Sequence, residues 1–334
     1  MKASVIGGGS WGSAFALHLG RLNIETNLWI REKDVYEITT KTKENKTFLP
    51  GFIFPPHVSF FDDLRKAVQF SEVVIIAVPS KFCRQLYTKL APFLSHNHIL
   101  VSLTKGIEEG SLKRMSEVME EVFTPYFKPT IVSLTGPSFA KEVAASQPTA
   151  VVASSKNMTV AIKVQHFCSD LYFRIYTCDD LVGLELAGAL KNVIAIAAGI
   201  SDGLQFGNNS KAALITRGIA EMTRLGLKFG AKLQTFAGLA GIGDLVLTCT
   251  SDLSRNYFVG FELGKGKSLK EIVSKMKMIA EGVTTTLSVF QLSKKERVEM
   301  PICEQVYRIL YRNKDPRQAL KDLLSRKLKN EYYF

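Results

Sequence analysis

Val5-Ile6-Gly7-Gly8-Gly9-Ser10-Trp11-Gly12-Ser13-Ala14 decides the architecture of this chain. An apolar strand, Ala3 to Ile6, runs into glycines at the first, third and sixth positions of a turn, then into a helix from Ser13 to Leu22 with Phe15, Leu19 and Leu22 on one face. Gly7 permits the tight turn, Gly9 lets the backbone approach a pyrophosphate, and Gly12 lets the helix close on the sheet. The unpaired N–H groups and positive dipole end of that helix then face the phosphate charge. The spacing predicts a dinucleotide grip.

Outward from it, strand-like runs alternate with amphipathic helical patterns. The strands are Ala3 to Ile6, Thr26 to Ile30, Val73 to Val78, Ile99 to Leu103 and Ile131 to Leu134, and the helices Asp34 to Lys43, Asp62 to Phe70, Lys81 to Leu94 and Ser111 to Val122. Lys46 to His57, with three prolines, reads as a loop. A strand pair, Ala150 to Ser154 and Phe173 to Thr177, closes the set. Such alternation predicts an α/β, Rossmann-type, doubly wound and mostly parallel sheet. Strand signals cease after Leu181, and helices separated by glycine- or proline-marked turns follow. The expected division is a dinucleotide-binding domain over 1–182 and an all-helical substrate-binding and catalytic domain over 183–334, and 334 residues suit two domains.

With 46% hydrophobic and 22% charged residues the chain can bury sizeable cores, and its composition does not indicate disorder. The net charge of +12 suits an anionic cofactor and substrate. Its basic residues are dispersed, dense only from Arg308 to Lys329, with no stripe interleaved with aromatics, so no nucleic-acid role is expected. The five cysteines form no CxxC pair and no metal-ligand spacing with the histidines, and no export leader precedes the first strand. No metal and a cytoplasmic location are expected. The longest apolar stretch, Leu181 to Ile200, is interrupted by Glu185, Lys191 and Asn192, which leaves an uninterrupted part too short for a membrane span and predicts a core helix.

Ligand-binding segments belong beyond the carboxyl ends of parallel strands. At the end of the second strand Arg31 stands where an acid would accept a ribose 2′-OH. It suits a 2′-phosphate and hence NADP, or stacks on the adenine, and Glu32 keeps NAD open. Lys105, followed by Gly106, holds an anion or carbonyl oxygen, or is a solvated loop lysine. In Gly136-Pro137-Ser138, Ser138 is either the N-cap of a short helix or a donor to substrate. Lys191 and Asn192 lie in an otherwise apolar helix, where a lysine tuned toward neutral pH serves acid/base work, and Glu185, Gly188 and Asn192 share its stripe. Asp244, behind three glycines, is an N-cap or a carboxylate in close approach to a ligand. Ser254 or Asp252 caps the next helix, and Arg255 is a surface residue or a phosphate clamp.

Taken together, Gly7-Gly8-Gly9-Ser10-Trp11-Gly12, Gly136-Pro137-Ser138-Phe139-Ala140, Gly188-Ala189-Leu190-Lys191-Asn192, Gly243-Asp244 and Arg255-Asn256, in order along the whole chain, resemble the NAD(P)-dependent glycerol-3-phosphate dehydrogenase family of bacterial type. The resemblance implies a helical second domain like that of 6-phosphogluconate dehydrogenase, NADP or NAD as cofactor, and dihydroxyacetone phosphate or glycerol 3-phosphate as substrate, for phospholipid synthesis. It implies that Gly7, Gly9, Ser10, Trp11, Gly12, Arg31, Lys105, Ala140, Arg255 and Glu281 bind cofactor. It implies that Lys105, Gly136, Ser138, Lys191, Asn192, Asp244, Ser254, Arg255 and Asn256 hold substrate, with Lys191 the proton-transfer residue aided by Lys105 and positioned by Asp244. No integral membrane association is implied, and a homodimer stays open. The competing reading is another two-domain hydroxy-acid or sugar-phosphate dehydrogenase of the 6-phosphogluconate type.

Overall fold

The computed structural model describes residues 1–276 and 278–331. Among them, eight strands form one sheet: β1 (Ala3–Ile6), β2 (Thr26–Trp29), β3 (Val58–Phe61), β4 (Val73–Ile76), β5 (Ile99–Ser102), β6 (Thr130–Thr135), β7 (Thr149–Ser154) and β8 (Phe173–Cys178). Their order is β3-β2-β1-β4-β5-β6-β7-β8, parallel throughout except between β6 and β7. β1, β4 and β5 are buried at every position, as strands covered on both faces must be, which is why they read as continuous apolar runs. The chain turns to opposite sides of β1 for β2 and β4, so the crevice beyond their carboxyl ends is the switch point at which such sheets bind ligands.

Contacts divide the described chain into two units. One comprises Met1–Thr104 and Met115–Leu181, the other Lys105–Arg114 and the chain from Val182 onward. The first unit carries α1 (Ser10–Arg21), α2 (Lys33–Thr42), α3 (Leu64–Val68), α4 (Cys83–Leu90), α5 (Met115–Phe123), α6 (Ala140–Ala144) and α7 (Met158–Cys168) around the sheet. Beyond it run α8 (Leu181–Gly203), α9 (Asn208–Lys228), α10 (Leu233–Ala237), α11 (Asp244–Thr250), α12 (Arg255–Gly264), α13 (Leu269–Ser274), α14 (Glu281–Glu296), α15 (Pro301–Arg312) and α16 (Pro316–Leu324).

Three expectations need correction. β3 was not anticipated: Val58-Ser59-Phe60-Phe61 is only four residues long and follows two prolines, so its pattern is too short to stand out before pairing with β2 rescues it. The helix expected from Ser111 starts at Met115, because Leu112 adopts a left-handed φ of 60° and Ile107 bridges Arg114, folding the preceding residues into a short excursion. Helix α8 is long and apolar enough, by length and composition, to cross a membrane despite its three polar residues, but 94% of its most apolar stretch is buried inside the protein.

What positions α8 is glycine. A Cβ on Gly199 would lie 2.0 Å from the Tyr257 carbonyl oxygen, and one on Gly260 would lie 2.0 Å from that of Ile196. Gly203 meets Phe261 and Gly264 meets Ile200 in the same way. The pairs 196 with 260 and 200 with 264 share an offset of 64 residues, so α8 and α12 run side by side in parallel, backbone against backbone. The same offset pairs Asn192 with Asn256. Gly260→Ala is therefore expected to force the helices apart, destabilising the protein by about 1–3 kcal/mol, seen as a lowered Tm, and to reduce turnover by breaking the Asn192–Asn256 register.

Candidate active site

Asp244 stands at the centre of the second unit's polar cluster. A π-helical turn over Leu239–Gly243 delivers it, and Gly241 packs so tightly that a Cβ there would lie 2.1 Å from the Phe236 carbonyl oxygen. Such turns are frequent at functional sites. Asp244 is the first residue of α11, with Gly243 in the cap position, so it is not an N-cap. Its carboxylate, 1% exposed, faces the positive end of the helix dipole.

Both carboxylate oxygens are taken by lysines. Lys191 Nζ donates to Oδ1 at 2.6 Å, and Lys105 Nζ donates to Oδ2 at 2.7 Å. One turn further along α11, the Thr248 hydroxyl accepts from Lys191 Nζ at 2.8 Å and donates to the Asp244 carbonyl at 2.6 Å. Burial pushes the Lys191 ammonium down from 10.5 to about 8. Asp244 works against that shift and the Lys105 charge adds to it. Two ammonium groups around one carboxylate leave an excess of positive charge in a nearly dry pocket. That is the field an incipient alkoxide requires. The buried Cys249 thiol beside them is raised to about 12, so it stays protonated and takes no nucleophilic part.

An amide ladder fixes the surroundings. Asn256 Nδ2 donates to Asn192 Oδ1 at 2.8 Å, and the Gly282 N–H donates to Asn256 Oδ1 at 2.8 Å. Asn192 Nδ2 reaches the carbonyls of Lys105 and Gly188, each at 3.4 Å. Thus the start of α14, where Glu281 stands, is pinned to α12 and α8. Ser254 caps α12, its hydroxyl accepting from the Tyr257 N–H at 3.2 Å. Arg255 follows with its side chain exposed and Glu281 as its nearby acid. The excursion Lys105–Arg114 is anchored by an Arg114–Glu185 ion pair at 2.7 Å and by the Ser288 hydroxyl on the Ile107 carbonyl at 3.3 Å.

The remaining predicted residues lie in the first unit. Gly7 has a φ of 128°, and a Cβ there would lie 2.5 Å from the Ala77 carbonyl oxygen; a Cβ on Gly12 would lie 1.9 Å from that of Gly7. Nothing lies within 4 Å of a Cβ built on Gly9, which leaves the backbone open at the N-terminus of the twelve-residue α1. These are the features a pyrophosphate needs, and the residues present fit a dinucleotide. Ser10 donates to the Phe48 carbonyl at 2.6 Å, and Trp11 packs edge-on to Phe15. The exposed Arg31 grips Glu32 Oε1 through Nε at 3.0 Å and Nη2 at 2.5 Å, with its guanidinium 5.3 Å from the Phe82 ring centre. Gly136 turns at φ 147° after β6, and Ser138 donates to its carbonyl at 2.9 Å. The residue before α6, whose first residue is Ala140, is Phe139, so Ser138 is not an N-cap.

Sequence reasoning left three contributors unassigned. Thr248 had a signal, its i+4 spacing from Asp244 on a helix. Asn45, whose Nδ2 donates to the Gly8 carbonyl at 2.7 Å and so braces the glycine turn, had none, being an isolated asparagine in a loop. Arg114 likewise shows its role only through Glu185.

Profiles described as NAD-dependent glycerol-3-phosphate dehydrogenase N-terminus and C-terminus match residues 2–161 and 180–321. The chain belongs to the NAD-dependent glycerol-3-phosphate dehydrogenase family. It is 50% identical over 330 residues to glycerol-3-phosphate dehydrogenase [NAD(P)+] of Citrifermentans bemidjiense, covering 99% of this chain and 98% of that one. To the protein of the same name from Thermoanaerobacter sp. it is 49% identical over 333 residues, covering 100% and 99%. The crystal structure of glycerol-3-phosphate dehydrogenase from Coxiella burnetii is similar with a TM-score of 0.94 at 39% identity, covering 97% of this chain and 99% of that one. Membership places the Lys191–Asp244–Lys105 cluster in a family of dehydrogenases.

Thr248→Val removes an oxygen that stabilises the charged form of Lys191. The Lys191 pKa should therefore fall further below 8, shifting the inflection of the pH–rate profile to lower pH, while NADPH binding measured by fluorescence stays unchanged.

Proposed function

We propose that this chain catalyses reversible hydride transfer between NAD(P)H and dihydroxyacetone phosphate, giving sn-glycerol 3-phosphate for phospholipid synthesis. The observation that carries the reading is the buried Lys191 ammonium, held between Asp244 and Thr248 with its pKa near 8. A proton donor in reduction and acceptor in oxidation works best when its pKa lies near the working pH.

In the first unit, Gly7, Gly9 and Gly12 with Ser10, Trp11, Arg31 and Ala140 would hold the dinucleotide. When bound, that group supplies or accepts the hydride. In the second unit, Lys191 delivers its proton to the oxygen on the reacting carbon as the carbonyl becomes an alkoxide. Lys105 stabilises the negative charge that builds on that oxygen. Asp244 holds both ammonium groups in place and keeps Lys191 protonated at neutral pH against its burial. Arg255, with the exposed end of a fork-shaped cation at the start of α12, and Asn256 are assigned to the substrate phosphate, whose binding orients the reacting carbon. Five cysteines, none of them in a disulfide among the described residues and four of them buried, support a reducing compartment such as the cytoplasm.

The test is absorbance at the reduced-nicotinamide band after adding dihydroxyacetone phosphate to protein with NADPH and then NADH: a fall is expected, and its absence in protein that binds NADPH would overturn the substrate assignment. Reduction needs Lys191 charged, so its kcat should be level below pH ~8 and decline above it, whereas oxidation should rise through the same pH. Lys191→Ala should cost about 10²–10⁴-fold in kcat with NADPH affinity retained. Arg31→Ala should raise KM for NADPH more than for NADH if its guanidinium leaves Glu32 for a 2′-phosphate; an equal effect on both assigns Arg31 to adenine packing.

A further inference from the structure

The excursion that carries Lys105 holds no helix or strand of its own, so its place depends on individual contacts. Ile107 bridges Arg114 in the antiparallel sense, and the Glu108 N–H donates to the Lys113 carbonyl at 2.9 Å. Gly110 and Leu112 turn the chain between them, with φ of 81° and 60°. The excursion is thereby closed on itself. Where Arg114 is held, Ile107 is held with it, and Lys105 lies two residues away.

Both ends of the excursion are fastened to one stripe of α8. Glu185 accepts from Arg114 Nη1 at 2.7 Å, and two turns further along Asn192 Nδ2 reaches the Lys105 carbonyl at 3.4 Å. Seven residues separate the two points, ~10 Å along the helix axis, and Lys191 stands next to the second. The attachments are unequal. The Asn192 bond is long, as is that from the Ser288 hydroxyl to the Ile107 carbonyl at 3.3 Å, whereas the ion pair is short and its side chains are only 14% and 4% exposed. A pair so removed from water resists separation, because parting leaves charge behind in the interior.

We propose that Arg114 and Glu185 are positioning residues for the reaction: their ion pair fixes the excursion so that Lys105 Nζ stays on the Asp244 carboxylate beside Lys191. This role rests on the reading of Lys191 as the proton-transfer group. Lys191 faces Asp244 and Cys249 from α11 and Lys105 from the excursion, and the Lys105 charge pushes its pKa down. Lys211 of α9 and Asp202 of α8 act on Cys249, and Glu281 of α14 acts on Arg255 of α12. An excursion set loose draws Lys105 away, and the Lys191 pKa then rises. The sign separates this from a direct effect of charge. Glu185→Gln removes a negative charge from the helix of Lys191, which by its own field would lower that pKa, whereas release of Lys105 raises it.

The test is the Lys191 inflection in the whole protein, read from the pH dependence of kcat for reduction of dihydroxyacetone phosphate by NADPH. It is read again without substrate, from the pH dependence of acetic anhydride labelling at Lys191 followed by mass spectrometry. Glu185→Gln is one variant; Arg114→Met with Glu185→Gln is the second, replacing the pair by neutral groups, which a fold tolerates better than a lone buried charge. In each, both inflections should move up by about half a unit or more, and kcat at neutral pH should fall about tenfold or more. In a Lys105→Met background the labelling inflection should already be raised, and the same substitutions should move it no further. An inflection that stays in place or moves down, or an equal upward shift with Lys105 absent, overturns the proposal and leaves the pair a structural tie. Labelling that shifts as expected while the unaltered protein shows no turnover supports the hold on Lys105 and overturns the catalytic reading instead.

Discussion

An ammonium group buried in a helical core is the constraint around which the second unit is arranged. Removing Lys191 from water costs on the order of several kcal/mol unless an anion and further hydrogen bonds replace its hydration. Asp244 and Thr248 do so from adjacent turns of one helix, with contacts of 2.6 and 2.8 Å. The compensation is incomplete: burial lowers the Lys191 pKa to about 8, Asp244 opposes the shift, and Lys105, which shares the same carboxylate, adds to it. A fully neutralised pair would be a structural ion pair. Held between that carboxylate and the Lys105 charge, the Lys191 ammonium is poised to lose or regain a proton.

Backbone packing places these groups. Gly199 and Gly203 on α8 meet the backbone of Tyr257 and Phe261, and Gly260 and Gly264 on α12 meet that of Ile196 and Ile200, at distances no side chain would tolerate, and the resulting register aligns Asn192 with Asn256. Gly241 does the same for the turn that carries Asp244. In the first unit Gly7 and Gly12 close the strand–helix turn on itself while Gly9 stays open. In each place glycine matters because of what must come close. The positive φ of Gly7 adds a second reason there.

Much of this was legible along the chain. Parallel strands buried on both faces appear as apolar runs, the glycine fingerprint is local, and a lysine inside an apolar helix is conspicuous because buried charge needs a partner. Less legible were elements whose meaning depends on a neighbour. β3 is too short to announce itself and exists through its pairing with β2. The helix predicted from Ser111 begins later because Leu112 takes a left-handed conformation that serves the excursion carrying Lys105. Asp244 and Ser138 each admitted a capping role by propensity, and neither caps a helix in the structure.

The sequence by itself determined the succession of a doubly wound sheet and a helical array, the dinucleotide turn, and the residues able to carry acid/base chemistry, because periodicity and glycine spacing are properties of neighbouring residues. Only the tertiary structure decided that Lys105, Lys191, Asp244 and Thr248 form one cluster, that Asn192 and Asn256 join, and that Arg114 pairs with Glu185. Those pairings span 53 to 139 residues of chain where Asp244 is the acceptor, and 64 and 71 residues in the other two. No local pattern encodes a hydrogen bond of that reach. It follows from which surfaces the buried helices leave facing one another.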